Sequence, residues 1–168
     1  MRLLASTDIA LRVLMLLGRD GQEMQLNVER LAHELGGLSR NHLHKIVQEL
    51  AALGTLRTVR GAGGGVSLAR PLSEIRLGRL VRDLESDQPI VECFREDGGC
   101  CAIEPGCRLR FMLRSAREAF YESLDLYTLA DCVGGRAGFR GKAVFADKRA
   151  AAAPEIKSAA KKSARRSG

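Results

Sequence analysis

Between Thr7 and Leu17 the apolar residues fall at Ile9, Ala10, Val13, Leu14 and Leu17. Steps of one, three and four put them on one face of a helix. Asn27 is placed to cap a second helix, VERLAHELG, which Gly36 and Gly37 close. Ser39 opens a third, RNHLHKIVQELAALG, whose apolar face is Leu43, Ile46, Val47, Leu50 and Leu53, and Gly54 stops it. Two helices joined by a short glycine-containing connection form a helix-turn-helix pattern. Two β-prone runs follow, Leu56–Val59 and Val66–Leu68, flanking a glycine cluster, and these read as a hairpin. Helix, helix-turn-helix and hairpin in that order make a winged helix.

The pattern then changes. An apolar helix is expected from about Ile75 to Leu84, after Pro71 and Ser73. A cysteine-rich loop follows, and then one long helix from Arg108 to Val133. In that helix Leu109, Leu113, Ala116, Phe120, Leu124 and Tyr127 recur at steps of three and four. Little of the chain is left to cover this stripe, so a symmetric partner helix is the economical answer. The expected fold is mainly α with a small β-hairpin wing: a winged helix-turn-helix plus a long dimerisation helix. The expected units are a DNA-binding domain over 1–71, the cysteine loop and dimerisation helix over 72–133, and a basic disordered tail over 134–168.

Charge sharpens that division. The net charge is +7, but residues 134–168 hold ten Lys/Arg against two acids, so the remainder is close to neutral at −1. The basic character belongs to the tail, which either adds sequence-blind DNA affinity or is a passive solubilising segment. Forty-five per cent hydrophobic residues allow a proper core. No apolar run reaches a membrane span, and Asp8 and Arg12 interrupt the only stretch that resembles a signal peptide. A cytoplasmic protein without a structural disulfide is therefore expected. No nucleophile–base pair or cofactor loop points to an enzyme, and Arg60–Gly65 lacks the Gly-Lys-Ser/Thr ending of a phosphate-binding loop.

The third helix carries Ser39, Arg40, Asn41, His42, His44, Lys45 and Gln48 opposite its apolar face. Short polar and cationic groups at a helix start suit base edges and phosphates in a major groove. From Ser39 to Arg70 there are five Lys/Arg and one acid, Glu49, so the module is locally positive within a neutral body. The same face would also serve as an ordinary solvated surface, but helix pattern, charge and wing agree on DNA. At the hairpin tip, Arg60 can enter a minor groove while Gly63 lets the backbone approach closely. Candidate DNA-contacting residues are Ser39, Arg40, Asn41, His42, Lys45, Arg60 and Gly63.

Four of the five cysteines lie between Cys93 and Cys107. Seven residues separate Cys93 from Cys101 and five separate Cys101 from Cys107, unlike the paired Cys-x-x-Cys of structural zinc sites. Cys100 adjoins Cys101, and neighbouring side chains rarely reach one metal. Three useful thiolates in a glycine-containing loop can wrap an iron–sulfur cluster, which normally takes four ligands. Cys132 is one candidate for the fourth, but it lies ~37 Å along a straight helix and reads as a free thiol. A metal-free thiol switch at Cys100 and Cys101, and a structural zinc site, remain the other chemistries open to this loop.

TDIALRVLMLL, VRGAGGGVSLARP, ECF…CCAIEPGCRLR and YTLAD together resemble the Rrf-type winged-helix regulators, and within them the nitric-oxide-sensing repressors. The resemblance runs from Met1 to about Asp131. It implies a homodimer that reads a palindromic double-stranded operator, carries an iron–sulfur cluster per protomer and takes nitric oxide as effector. It further implies Cys93, Cys101 and Cys107 as ligands, with Asp8 of the partner subunit as the fourth, and favours the 4Fe-4S form over 2Fe-2S. The chain departs from the commonest pattern in a longer first gap and a doubled cysteine. Asp8 can also pair with Arg12 one turn on, a contact worth ~0.3 kcal/mol. The alternative within the family is a redox-responsive regulator of cluster assembly or oxidative-stress genes. Such relatives use a histidine on the long helix, and no histidine follows His44 here.

Overall fold

The computed structural model describes residues 2–19, 25–61, 64–103 and 106–133. Gly63 and the basic tail lie outside these residues. The helices are α1 (Ala5–Arg19), α2 (Val28–Glu34), α3 (Arg40–Ala52), α4 (Leu77–Leu84), α5 (Arg108–Leu124) and α6 (Leu129–Val133), with strands β1 (Leu56–Val59) and β2 (Gly65–Leu68) between α3 and α4. Short 3-10 turns occupy Leu72–Glu74 and Glu92–Phe94. Among the described residues, no helix is long and apolar enough to cross a membrane.

The winged helix forms as its pattern dictates. Asn27 Oδ1 accepts the Arg30 N–H at 2.7 Å and starts α2. Gly36 and Gly37, at φ +86° and +78°, end it in the left-handed region. Ser39 begins α3 by position alone, since its side chain makes no cap bond. β1 and β2 pair antiparallel with Leu56 opposite Leu68 and Thr58 opposite Val66. Leu26 adds a third rung, exchanging backbone bonds of 2.8 and 3.0 Å with Val66. Residue 65 has to be glycine for this approach, because a Cβ there would sit 2.8 Å from the Leu26 carbonyl oxygen.

One core joins these pieces: Val13, Leu14 and Leu17 of α1, Leu31 of α2, Leu43, Ile46 and Leu50 of α3, and Val66 of β2. Each such side chain contributes about 1.5–3 kcal/mol when fully withdrawn from water. Ile75, Leu80 and Leu129 belong to the same core, so the chain beyond the wing packs back onto it.

The long helix expected over Arg108–Val133 is broken. α5 ends at Leu124, and Tyr127–Leu129 runs beside Ile75–Leu77. Leu77 N–H donates to the Tyr127 carbonyl at 3.1 Å, and Leu129 N–H donates to that of Ile75 at 2.9 Å. Asp131 then accepts from the Thr128 N–H at 2.7 Å and its hydroxyl at 3.0 Å, which holds the chain where the helix restarts as α6. The break turns Leu129 into the core, where it is fully buried. It also returns α6 to α1 instead of extending it away. The Ile75–Leu84 helix likewise starts later, at Leu77, because Ile75 and Arg76 are engaged in this pairing.

α4 lies close along α5. A Cβ at Gly78 would collide with the Tyr121 carbonyl oxygen, so only glycine permits this approach. Of the seventeen α5 residues only Tyr121 is buried. Leu109 and Met112 expose 59 and 60 % of their surface, which leaves the start of the apolar stripe of α5 uncovered within the chain, while Leu113, Phe120 and Leu124 farther along are half-buried.

Candidate functional site

The outward side of α3 presents Ser39, Arg40, Asn41, His42, His44, Lys45 and Gln48, all exposed, over the buried Leu43, Ile46, Val47 and Leu50. No acid of α3 itself lies in its first turn. Arg60 is exposed where β1 leads into the wing tip. The other two arginines of the hairpin region have structural partners. Arg57 Nε donates across the strands to Ser67 Oγ at 2.9 Å. Arg70 donates to the carbonyls of Gly54 and Leu53 at 3.0 and 3.3 Å, tying down the end of α3. Arg40 is paired with Glu29 of α2, Nη1 to Oε1 at 3.2 Å, a partner the spacing of residues did not signal.

The cysteine loop leaves α4 and returns to α5. Cys93 is buried in the Glu92–Phe94 turn, Cys101 and Cys107 are half-buried, Cys100 is exposed, and all four are free thiols. Cys107 immediately precedes α5. The loop is anchored by Phe94, whose ring lies under the guanidinium groups of Arg114 and Arg117 at 5.8 and 5.1 Å. Asp97 holds the next turn, accepting from Arg95 at 2.8 Å and from the Gly99 N–H at 3.0 Å. Among the described residues, no three His, Cys, Asp or Glu side chains converge on a single-ion position. A zinc ion bonded at ~2.3 Å would hold its sulfurs within about 4 Å of one another. A cluster several atoms across spaces them more widely. Three free cysteine sulfurs in one loop are a soft donor set that fits cluster iron.

Asp8 is exposed on α1, and its carboxylate pairs with Arg12 at 2.8 Å. α1 touches α3, α6 and β2, so its placement bears directly on the recognition helix. The segment before α1 is fixed to the α4 end by the Leu4 N–H, which donates to Glu85 Oε1 at 2.9 Å. From there an ionic network crosses to the loop: Arg82 bonds Glu118, stacks over Tyr121 at 4.5 Å, and Glu118 meets Arg117 at 3.5 Å. The Arg82 hydrogen bond holds the Glu118 carboxyl below its ordinary range, and burial pushes the Tyr121 hydroxyl up. Cys132, expected far along a straight helix, instead sits on α6 beside Arg12, Met15 and Arg19 of α1. Burial first, then the charge of Asp131, raises its thiol above the usual cysteine value.

The profile of the Rrf2 family, described as an iron-dependent transcriptional regulator, matches residues 3–135. The chain belongs to the Rrf2 family. Its relatives in that family include the HTH-type transcriptional regulator NsrR of Geobacillus kaustophilus, 45% identical over 140 residues that cover 83% of this chain and 95% of that one. NsrR of Bacillus subtilis is 40% identical, covering 79% and 90%. Among solved structures, T. potens IscR superposes with a TM-score of 0.63 at 22% identity, over 83% of this chain and 93% of that one. The oxidised form of Staphylococcus aureus CymR gives 0.61 at 27%, over 80% and 98%. The winged-helix fold read from the apolar pattern is thus the fold of these regulators. As an Rrf2 regulator the chain binds DNA and depends on iron.

Proposed function

We propose that this chain is a transcriptional repressor of the NsrR type, releasing its operator on exposure to nitric oxide. The identity to NsrR regulators, spanning nearly all of their length, carries the reading. The exposed polar face of α3 and the three free thiols of one loop support it. Two copies joined along the uncovered side of α5 present two α3 helices to a palindrome whose half-sites lie about 34–36 Å apart. Ser39, Arg40, Asn41, His42 and Lys45 meet the major groove, and the wing with Arg60 and Gly63 meets the minor groove. In this reading residues 1–71 are the DNA-binding domain, 72–133 the sensing and dimerisation unit, and 134–168 a basic extension.

Cys93, Cys101 and Cys107 would hold a 4Fe-4S cluster together with Asp8 of the partner subunit. When bound, the cluster supplies iron that nitric oxide binds strongly. A carboxylate is a hard ligand and the weakest of the four donors. Arg12 lies 2.8 Å from Asp8 and takes that carboxylate when it is free. α1 packs on α3, so the two arrangements of Asp8 place the recognition helices differently. The cluster-assembly reading gains nothing from the likeness to IscR, which at 22% identity concerns the fold alone.

The test is iron and sulfide content with visible absorbance after purification without oxygen, followed by operator retention before and after nitric oxide. About four irons per chain, bleaching by nitric oxide and loss of DNA are expected. About two irons would favour the 2Fe-2S, IscR-like reading. Zinc, or no metal after anaerobic reconstitution, would overturn the cluster and leave a thiol-switched or zinc-stabilised regulator.

A further inference from the structure

Glu29 is an acid where a DNA-binding surface has least use for one. It lies in the first turn of α2 and is largely exposed, with 76 % of its side-chain surface open to water. Its carboxylate Oε1 accepts from Arg40 Nη1 at 3.2 Å, and Arg40 is the first residue of α3, its own side chain 66 % exposed. An ion pair this exposed adds little to fold stability. A carboxylate at this edge also repels phosphates. The arrangement therefore has to be understood through what it does to Arg40.

A guanidinium has five N–H donors in a rigid plane. The bond to Glu29 engages Nη1 and leaves the Nε–Nη2 edge as a free fork. A fork of two parallel donors matches a pair of acceptors such as O6 and N7 of guanine. Held at one corner by Glu29, Arg40 loses the freedom to swing onto the nearest phosphate. We propose that Glu29 is a specificity-determining residue that positions Arg40 for bidentate contact with a guanine edge and keeps it off the phosphate backbone. This inference rests on the operator-binding reading above and concerns how that binding is made selective.

The experiment uses full-length holoprotein and a duplex enriched by it from a random-sequence library, with a shuffled duplex of equal composition as control. Affinities for both are measured across a salt series for the wild type, Glu29→Gln, Arg40→Lys, Arg40→Ala and Glu29→Gln/Arg40→Ala. In Glu29→Gln the shuffled duplex should bind more tightly, with a salt slope steeper by up to about 0.9, as Arg40 reaches a phosphate. The ratio of enriched to shuffled affinity should fall about two- to fivefold. Arg40→Lys should retain the shuffled affinity and lose the ratio, because an ammonium has no fork. In the Arg40→Ala background, Glu29→Gln should no longer change the ratio. An unchanged ratio in Glu29→Gln, or the same drop with Arg40 absent, overturns the inference while leaving the regulator reading intact. Failure of the wild type to enrich any sequence overturns both.

Discussion

Single residues decide which thiols matter. Cys100 and Cys101 are neighbours in the chain, but Cys100 is exposed and Cys101 half-buried. Cys101→Ser is expected to lose most of the iron bound per chain, and Cys100→Ser to keep it, with iron assay of the anaerobically purified variants as the measurement. Equal loss in both would show that Cys100 is needed for iron as much as Cys101. Cys132 behaves otherwise. Although Cys132 is exposed as a residue, partial desolvation of its thiol and the charge of Asp131 raise it above the usual cysteine value. The thiolate is the reactive form, so alkylation of Cys132 in the folded protein should set in at higher pH than for a free cysteine. Mass-spectrometric rates from pH 7 to 10 check this, and a rise at the ordinary cysteine pH would contradict it. The cysteine spacing was legible in the chain because the thiols are close in sequence. Their supports were not. Phe94 under Arg114 and Arg117, Leu4 on Glu85 and Arg40 on Glu29 join residues separated by eleven to eighty-one positions, and such pairs leave no periodic trace.

At the scale of elements, amphipathic period made α1, α2, α3 and the wing readable before any coordinates, because each buries one regular face. The break between α5 and α6 escaped the same reasoning. Leu124 and Tyr127 continue the apolar rhythm, and only Thr128-Leu-Ala-Asp131 marks a new start, with the Asp131 carboxylate taking the Thr128 N–H. Asp131→Ala should therefore cost about 1 kcal/mol and lower the melting temperature by a few degrees. An unchanged melting temperature would assign the break to the Ile75–Leu77 pairing alone. The contact of α4 with α5 has a stricter requirement. Gly78→Ala drives a methyl into the Tyr121 carbonyl oxygen and should destabilise by several times as much, read by urea unfolding. The Arg82–Glu118 bond links the same two helices. Since Arg82 depresses the Glu118 carboxyl, the bond stabilises the fold above the ordinary carboxylate pKa and is lost as pH falls through the lower folded value. The stability gap between wild type and Glu118→Gln should accordingly be widest near neutrality and close in acid. A gap independent of pH would show that the charge on Glu118 contributes nothing there.

For the whole molecule, the decisive feature is a helix without a lid. α5 has seventeen residues and buries only Tyr121, while Leu109 and Met112 at the start of its apolar stripe stand largely in water. A helix this exposed gains little from propensity alone and draws its stability from packing an apolar side. In the dimer proposed above, a second copy related by a two-fold axis would supply that packing, because an isologous contact lets one stripe cover itself. In that proposal the same pairing would bring Asp8 of one chain to the loop of the other and set the distance between two α3 helices, making dimerisation, cluster binding and operator spacing one property. Met112→Glu tests the connection. Met112 is 60 % exposed within its own chain, so folding, followed by circular dichroism, should be largely retained. A carboxylate placed in an apolar dimer seam lacks a partner, and its desolvation should shift the chain toward monomer in sedimentation equilibrium at micromolar concentration. Iron content and operator affinity should fall together with the dimer. A monomeric variant that still retains full iron would show that the fourth ligand comes from the same chain, and would return attention to Cys132 on α6.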